Sequence, residues 1–228
     1  MGQLLSKTIG TAGPTHDWEA FSDQENYRKH MAGTCPGQTS GKSLSSSAWG
    51  SDVGPETSHW VDLGTWRVYS VSSGLWRYNE DAAPAVTTWL DTELGKGKAA
   101  GDHAAVIWHE PYWTSDSEGH DRTTEVRPWV EALDKYDVKI LLSGHQHGYE
   151  RFHPQNADDT RDDATGTQQF VVGTGGIGSY PWENTLTNAA AQQSDASGWL
   201  KLTLKPDGHH DWRFVRIAGA QYSDAGTR

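Results

Sequence analysis

Between residues 65 and 142 the chain alternates strand-like and helix-like runs, and this order leaves few architectures open. TWRVYSV at 65–71 reads as a strand, and a Pro84-initiated stretch to about Leu94 as a helix. HAAVIW at 103–108 reads as a second strand, residues 124–136 as a second helix, and DVKILL at 137–142 as a third strand. The order predicts an α/β (α+β) fold with a βαβα core, a mixed sheet and helices on its outer faces. QQFVV at 168–172 adds another strand, and WLKLTLK and DWRFVRI, joined through Pro206, Asp207 and Gly208, close the chain as a hairpin. Upstream, Trp18, Phe21 and Tyr27 fall at helical intervals within 17–31, and the Ser-, Gly- and Pro-rich stretch 34–54 reads as a surface loop. Ligands of such sheets collect in the loops beyond the strand ends, so those loops are where chemistry is sought.

A chain of 228 residues has room for one compact domain, and a single domain over 1–228 is expected. With 35% hydrophobic and 21% charged residues the chain is globular in composition, and its 12 tryptophans predict an aromatic core. A formal net charge of −11 without any basic run excludes a nucleic-acid surface and favours a small-molecule ligand. No stretch approaches the roughly 20 apolar residues of a membrane span, and MGQLLSKTIG lacks the apolar core of a signal peptide. Cys35 stands alone, so there is no intrachain disulfide and no cysteine-based metal site; histidines and carboxylates must supply any metal ligands.

Two strand exits carry histidines. His109 follows the run VIW, and His145 and His147 follow the run ILLSG. In extended backbone, residues i and i+2 project to one side, and Gly144 and Gly148 offer tight turning on either flank. A lone loop histidine is commonly a hydrogen-bonded structural residue. Three at two strand exits point instead to ions that imidazole suits, such as zinc or iron. Hydrolases with paired ions about 3.5–4 Å apart use them to bind ester oxygens and activate water. Two other glycine motifs carry no such chemistry. GTGGIG at 173–178 lacks the helix a dinucleotide site needs and reads as a tight loop beside a metal cleft, and GKS at 41–43 lacks the leading glycine and strand of a phosphate loop.

VIWHEPYWTS, SGHQHGYERFHPQ, QQFVVGTGG and LKLTLKPDGHHDWRFVRIAG together resemble the purple acid phosphatase-like bacterial branch of the calcineurin-like metallophosphoesterases, over about Thr11 to Gly226. The resemblance implies a four-layer sandwich and metal-dependent hydrolysis of phosphoric esters, of acid phosphatase or phosphodiesterase type, at a dinuclear site holding Zn, Mn or Fe. His109 and His145 would then hold one ion and His147 the other. It further implies that His120 touches the substrate phosphate or protonates the leaving oxygen. The competing reading is a solvated loop histidine between Glu118 and Asp121. In GPTHD at 13–17, Thr15 stands where the family has a ligating Asn, and His16 where it has a substrate contact; a helix start capped by Asp17 is the alternative for His16.

The family's two Asp-bearing motifs are missing from this sequence, so the resemblance implies a sandwich truncated at its N-terminus that retains only part of the dinuclear site. An inactive metal-binding fragment, pseudoenzyme or subunit is the alternative. A third reading makes the histidines structural, with aromatics such as Trp49 and Trp182 serving a binding surface. The family also implies an extracytoplasmic location.

Overall fold

The structure is a computed structural model that describes residues 58–71, 73, 83–115, 120–175, 178–217, 219 and 221–228. His16, Thr15 and Asp17, Cys35, Trp49, Glu118, the helix expected at 17–31 and the loop expected at 34–54 lie outside the described residues. The chain divides into two compact units, residues 1–109 and 110–228.

In the first unit β1 (His59–Asp62) and β2 (Trp66–Ser70) pair antiparallel, with Val61 opposite Val68. Their turn is set by Gly64 at φ 87°, whose N–H donates to Asp62 Oδ1 at 2.8 Å. β3 (His103–Ile107) runs parallel to β2, and helix α1 (Ala83–Ala100) lies between the two in sequence, as a parallel pair requires. The helix buries Val86, Trp89, Leu90 and Leu94, the spacing of one apolar stripe. It runs on past the expected stop at Leu94, through Gly95 and Gly97. Gly97 is a packing position: a Cβ there would stand 2.6 Å from the Tyr69 hydroxyl, which donates to the Glu93 carbonyl at 3.0 Å. The actual stop is Gly101 at φ 85°. Gly101 N–H donates to Lys98 O at 3.1 Å and Asp102 N–H to Gly97 O at 3.0 Å, the paired bonds of a left-handed glycine cap.

The second unit starts its regular structure with a 3-10 turn (Thr124–Val126) leading into α2 (Arg127–Lys135), which buries Trp129, Val130, Ala132 and Leu133. Strands β4 (Ile140–Ser143), β5 (Tyr149–Phe152), β6 (Gln168–Val172) and β7 (Ala189–Gln193) follow. β4 and β6 are parallel, β5 is antiparallel to β6, and β7 is antiparallel to β5, so the sheet is mixed. AAAQQ has little intrinsic preference for a strand, and its ladder with β5 decides its state. β8 (Gly198–Leu204), β9 (His210–Arg216) and β10 (Ala225–Thr227) form a separate antiparallel sheet in the order β10-β9-β8. Gly208 at φ 86° turns the β8–β9 hairpin, as its Pro-Asp-Gly composition predicts. Trp66 and Trp108 of the first unit, and Trp113, Trp129, Tyr149, Phe152 and Phe170 of the second, are fully buried, so the cores are aromatic.

Candidate functional site

The second unit gathers three of the four described candidate histidines. β4 leaves the core at Ser143 and the chain bends at once, Gln146 N–H donating to Gly144 O at 2.7 Å. The bend is made by His145 itself, at φ 65° in the left-handed region, and neither Gly144 nor Gly148 has a positive φ. The extended i, i+2 geometry expected from sequence is therefore not what aims the two imidazoles. A non-glycine residue in this conformation is disfavoured by roughly 1–2 kcal/mol, strain of the kind found at functional loops. Gly148 supplies room instead: a Cβ there would stand 2.8 Å from the Trp182 ring and 3.1 Å from Gln193 O. Gly173, from the GTGGIG loop, packs so tightly on the Gln146 carbonyl that no side chain fits there.

His120 meets both loop histidines. Its ring centroid lies 4.9 Å from that of His145 and 5.6 Å from that of His147. Tyr180 stacks on His120 at 4.8 Å and on His147 at 4.5 Å. With the two imidazoles only 5.6 Å apart, both lie on the same side of the phenol ring, which covers them. The His147 Nδ1 is 2.9 Å from Gly178 O. A carbonyl only accepts, so Nδ1 carries the proton, and the Nε2 lone pair of the neutral ring is left for a ligand. The His120 Nδ1 is buried with no hydrogen-bond partner among the described residues. The His120 carbonyl accepts from the side-chain amide of fully buried Gln146, so the residue between the two loop histidines also holds the third.

The YER run that follows the loop is strand β5, and its alternation serves two tasks. Glu150, fully buried, accepts from Ser115 Oγ at 2.5 Å, Ser115 N–H at 2.9 Å and Thr114 Oγ1 at 3.3 Å, fixing the segment that leads towards His120. Tyr149 and Arg151 instead bind Asp224: Tyr149 OH donates to Oδ2 at 2.7 Å, and the Arg151 guanidinium to both oxygens at 2.8 and 3.0 Å. Burial, and then the Asp224 charge, push the Tyr149 hydroxyl far above its ordinary value, so it stays protonated and donates. Burial alone would raise the Asp224 carboxyl, but the bonds from Arg151 and Tyr149 hold it below its ordinary value.

His109 closes the first unit at the exit of β3, half-buried, its N–H donating to Ser73 Oγ at 3.0 Å. His103 packs on Trp66 at 5.3 Å, and His209 is an exposed partner of Asp207 at 3.2 Å; both have structural settings. Among the described residues no group of three or more His, Cys, Asp or Glu is disposed to hold a metal ion. What does fit an ion is the donor chemistry: imidazoles on one loop, one with its tautomer fixed by a backbone carbonyl. Sequence reasoning missed Gln146, Glu150 and Tyr180. Only Glu150 left a signal, an acid flanked by Tyr149 and Arg151 directly after the histidine loop.

No protein-family model matches the chain. The chain is similar to the uncharacterized protein Rv2577 of Mycobacterium tuberculosis, 28% identical over 106 residues, which is 39% of this chain and 20% of that protein. It is also similar to purple acid phosphatase 21 of Arabidopsis thaliana, 25% identical over 120 residues, which is 52% of this chain and 24% of the relative. The chain thus spans about a fifth to a quarter of the curated relatives it matches. Among solved structures it resembles a purple acid phosphatase from yellow lupin seeds, with a TM-score of 0.56 and 20% identity over 78% of this chain and 33% of that one. It also resembles GAP50, the anchor in the inner membrane complex of Plasmodium, with a TM-score of 0.52 and 16% identity over 70% of this chain and 49% of that one. The fold is α/β and of the metallophosphoesterase type.

Proposed function

We propose that this chain contributes metal ligands and an acid–base histidine to a hydrolase of phosphoric esters, of the purple acid phosphatase-like kind and bacterial branch that its motifs resemble. The observation that carries the reading is the convergence of His120, His145 and His147, with His120 centroids 4.9 and 5.6 Å from the other two. His145 and His147 are the ligands, with His109 of the first unit as the further one the resemblance implies. Zn, Mn and Fe all suit these donors, and two ions would complete the family's site. Such an ion, when bound, polarises the ester and brings a water towards a pKa of about 7.

The chain's own residues divide the remaining work. His147 keeps its proton on Nδ1 against Gly178 O and offers Nε2. His120, anchored through its carbonyl by Gln146, is the group that hands a proton to the leaving oxygen. Tyr180 covers His120 and His147 and limits water around them. His16 is the second substrate contact the resemblance implies. The substrate is a small phosphate ester, since a net charge of −11 without a basic run suits no nucleic acid.

A second reading is an ion-binding chain without turnover: His145 and His147 offer imidazole donors on one loop, while no group of three or more ligating side chains is assembled among the described residues. Hydrolysis of an aryl phosphate by the chain supplied with Zn, Mn or Fe separates the two. Turnover that falls by about 10²–10⁴ in His120→Ala and is abolished in His147→Ala supports hydrolysis. A retained ion with no turnover supports the second reading, and no retained ion rules out both.

A further inference from the structure

The outer face of the three-stranded sheet, remote in function from the histidine loop, carries charges that make no sense for stability. Strand alternation puts Trp199, Lys201 and Thr203 of β8 on one face, and all three are exposed. The register sets Lys201 directly opposite Arg213, and Trp199 opposite Val215. Like charges facing each other across a ladder destabilise it. In a chain of net charge −11 a carboxylate partner would be easy to supply, yet neither cation has one among the described residues. The nearby acid, Asp211, is paired with Lys205 at 2.5 Å. Trp199, 55% exposed, and Ile217, just beyond β9, are the large apolar side chains left open among the described residues.

Beside the cation pair lies a recess of about 380 Å³ lined by Lys201, Thr203, Asp211, Arg213 and the small residues Ala225 and Gly226, with Trp212. On this face β10 brings the small residues Ala225 and Thr227, which pair with Arg213 and Asp211, whereas Gly226 pairs with Trp212. The volume of the recess is that of a small-ligand site. We propose that this face binds an acidic saccharide, a sugar bearing a carboxylate or sulfate. Lys201 and Arg213 take the anionic group, Trp199 stacks on the sugar ring, and Thr203 and Asp211 take its hydroxyls.

The mixture of donors points to this class. A bare inorganic anion such as sulfate would meet the Asp211 carboxylate with nothing to donate to it, whereas a sugar hydroxyl donates. A neutral sugar would leave the cation pair without purpose. A second copy of the chain, paired face to face, would set cations against cations.

The test is binding of an oligogalacturonate to the whole chain, followed by tryptophan fluorescence and calorimetry, with neutral dextran and polyaspartate as comparison ligands. The uronate is expected to bind, dextran and polyaspartate much more weakly. Lys201→Gln, Arg213→Gln and Trp199→Ala should each weaken binding about tenfold. Lys201→Gln should at the same time raise the melting temperature slightly by removing the facing charge, so that loss of binding cannot be loss of fold. His147→Ala should bind the saccharide as the parent does, which keeps this result separate from the fate of the hydrolase reading. Equal binding of polyaspartate would reduce the face to unspecific charge and overturn the proposal. So would absence of binding, or self-association that disappears in Trp199→Ala.

Discussion

At the scale of single residues, His210 shows how burial sets a titration. It is fully buried, with Nε2 3.0 Å from the Gln168 side-chain oxygen. Burial, helped by Arg228, pushes its pKa down from 6.5 to about 4. As pH falls below 6.5 the unfolded chain takes up this proton before the folded one. The contribution is therefore fully present above 6.5 and is lost as pH falls to 4, on the order of 3 kcal/mol. Urea unfolding across that window should show the loss, and His210→Gln should flatten it; an unchanged slope in the variant would contradict the assignment. This residue was visible in sequence only as one of two adjacent histidines in a hairpin. His145 and His147 were legible because glycines and an apolar run frame them, yet the left-handed conformation of His145 was not. Nothing local in GHQHG marks which residue bends, since the choice is made by Gln146 docking on Gly173 and His120.

At the scale of elements, α1 and β5 show where sequence rules give way to packing. α1 runs past the expected stop at about Leu94 through Gly95 and Gly97, although glycine in a helix interior is unfavourable by about 1 kcal/mol. Gly97 is required there because the Tyr69 hydroxyl occupies the space a side chain would need. Gly97→Ala should therefore destabilise the chain despite better helix propensity, and do so less in a Tyr69→Phe background; equal effects in both backgrounds would exclude the contact as the cause. β5 was read as a motif rather than a strand, because YERF has no clean apolar alternation. Its polar residues are buried through long-range partners, Glu150 with Ser115 and Arg151 with Asp224, at separations in sequence that no local pattern reveals. Asp224→Asn leaves the Arg151 guanidinium, 12% exposed, without its anion. A loss of about 3 kcal/mol at unchanged denaturant slope is expected; a loss below 1 kcal/mol would mean that Asp224 does not tie β10 to β5.

At the scale of the whole molecule, the strand–helix alternation, the closing hairpin and the aromatic cores could be read from the sequence because they rest on periodicity and on Pro and Gly punctuation. The edge strands β1, β7 and β10 could not, being short and defined by their neighbours. The central claim is that the loop after β4 binds a transition metal. The most direct measurement is the ion retained per chain after zinc loading and exhaustive dialysis, for the parent, His145→Ala, His147→Ala and His209→Ala. The parent and His209→Ala should retain zinc alike, while the two loop variants lose more than about 100-fold in affinity, beyond the range typical of residues that only orient a ligand. Equal retention in all four chains, or none in the parent, would contradict it.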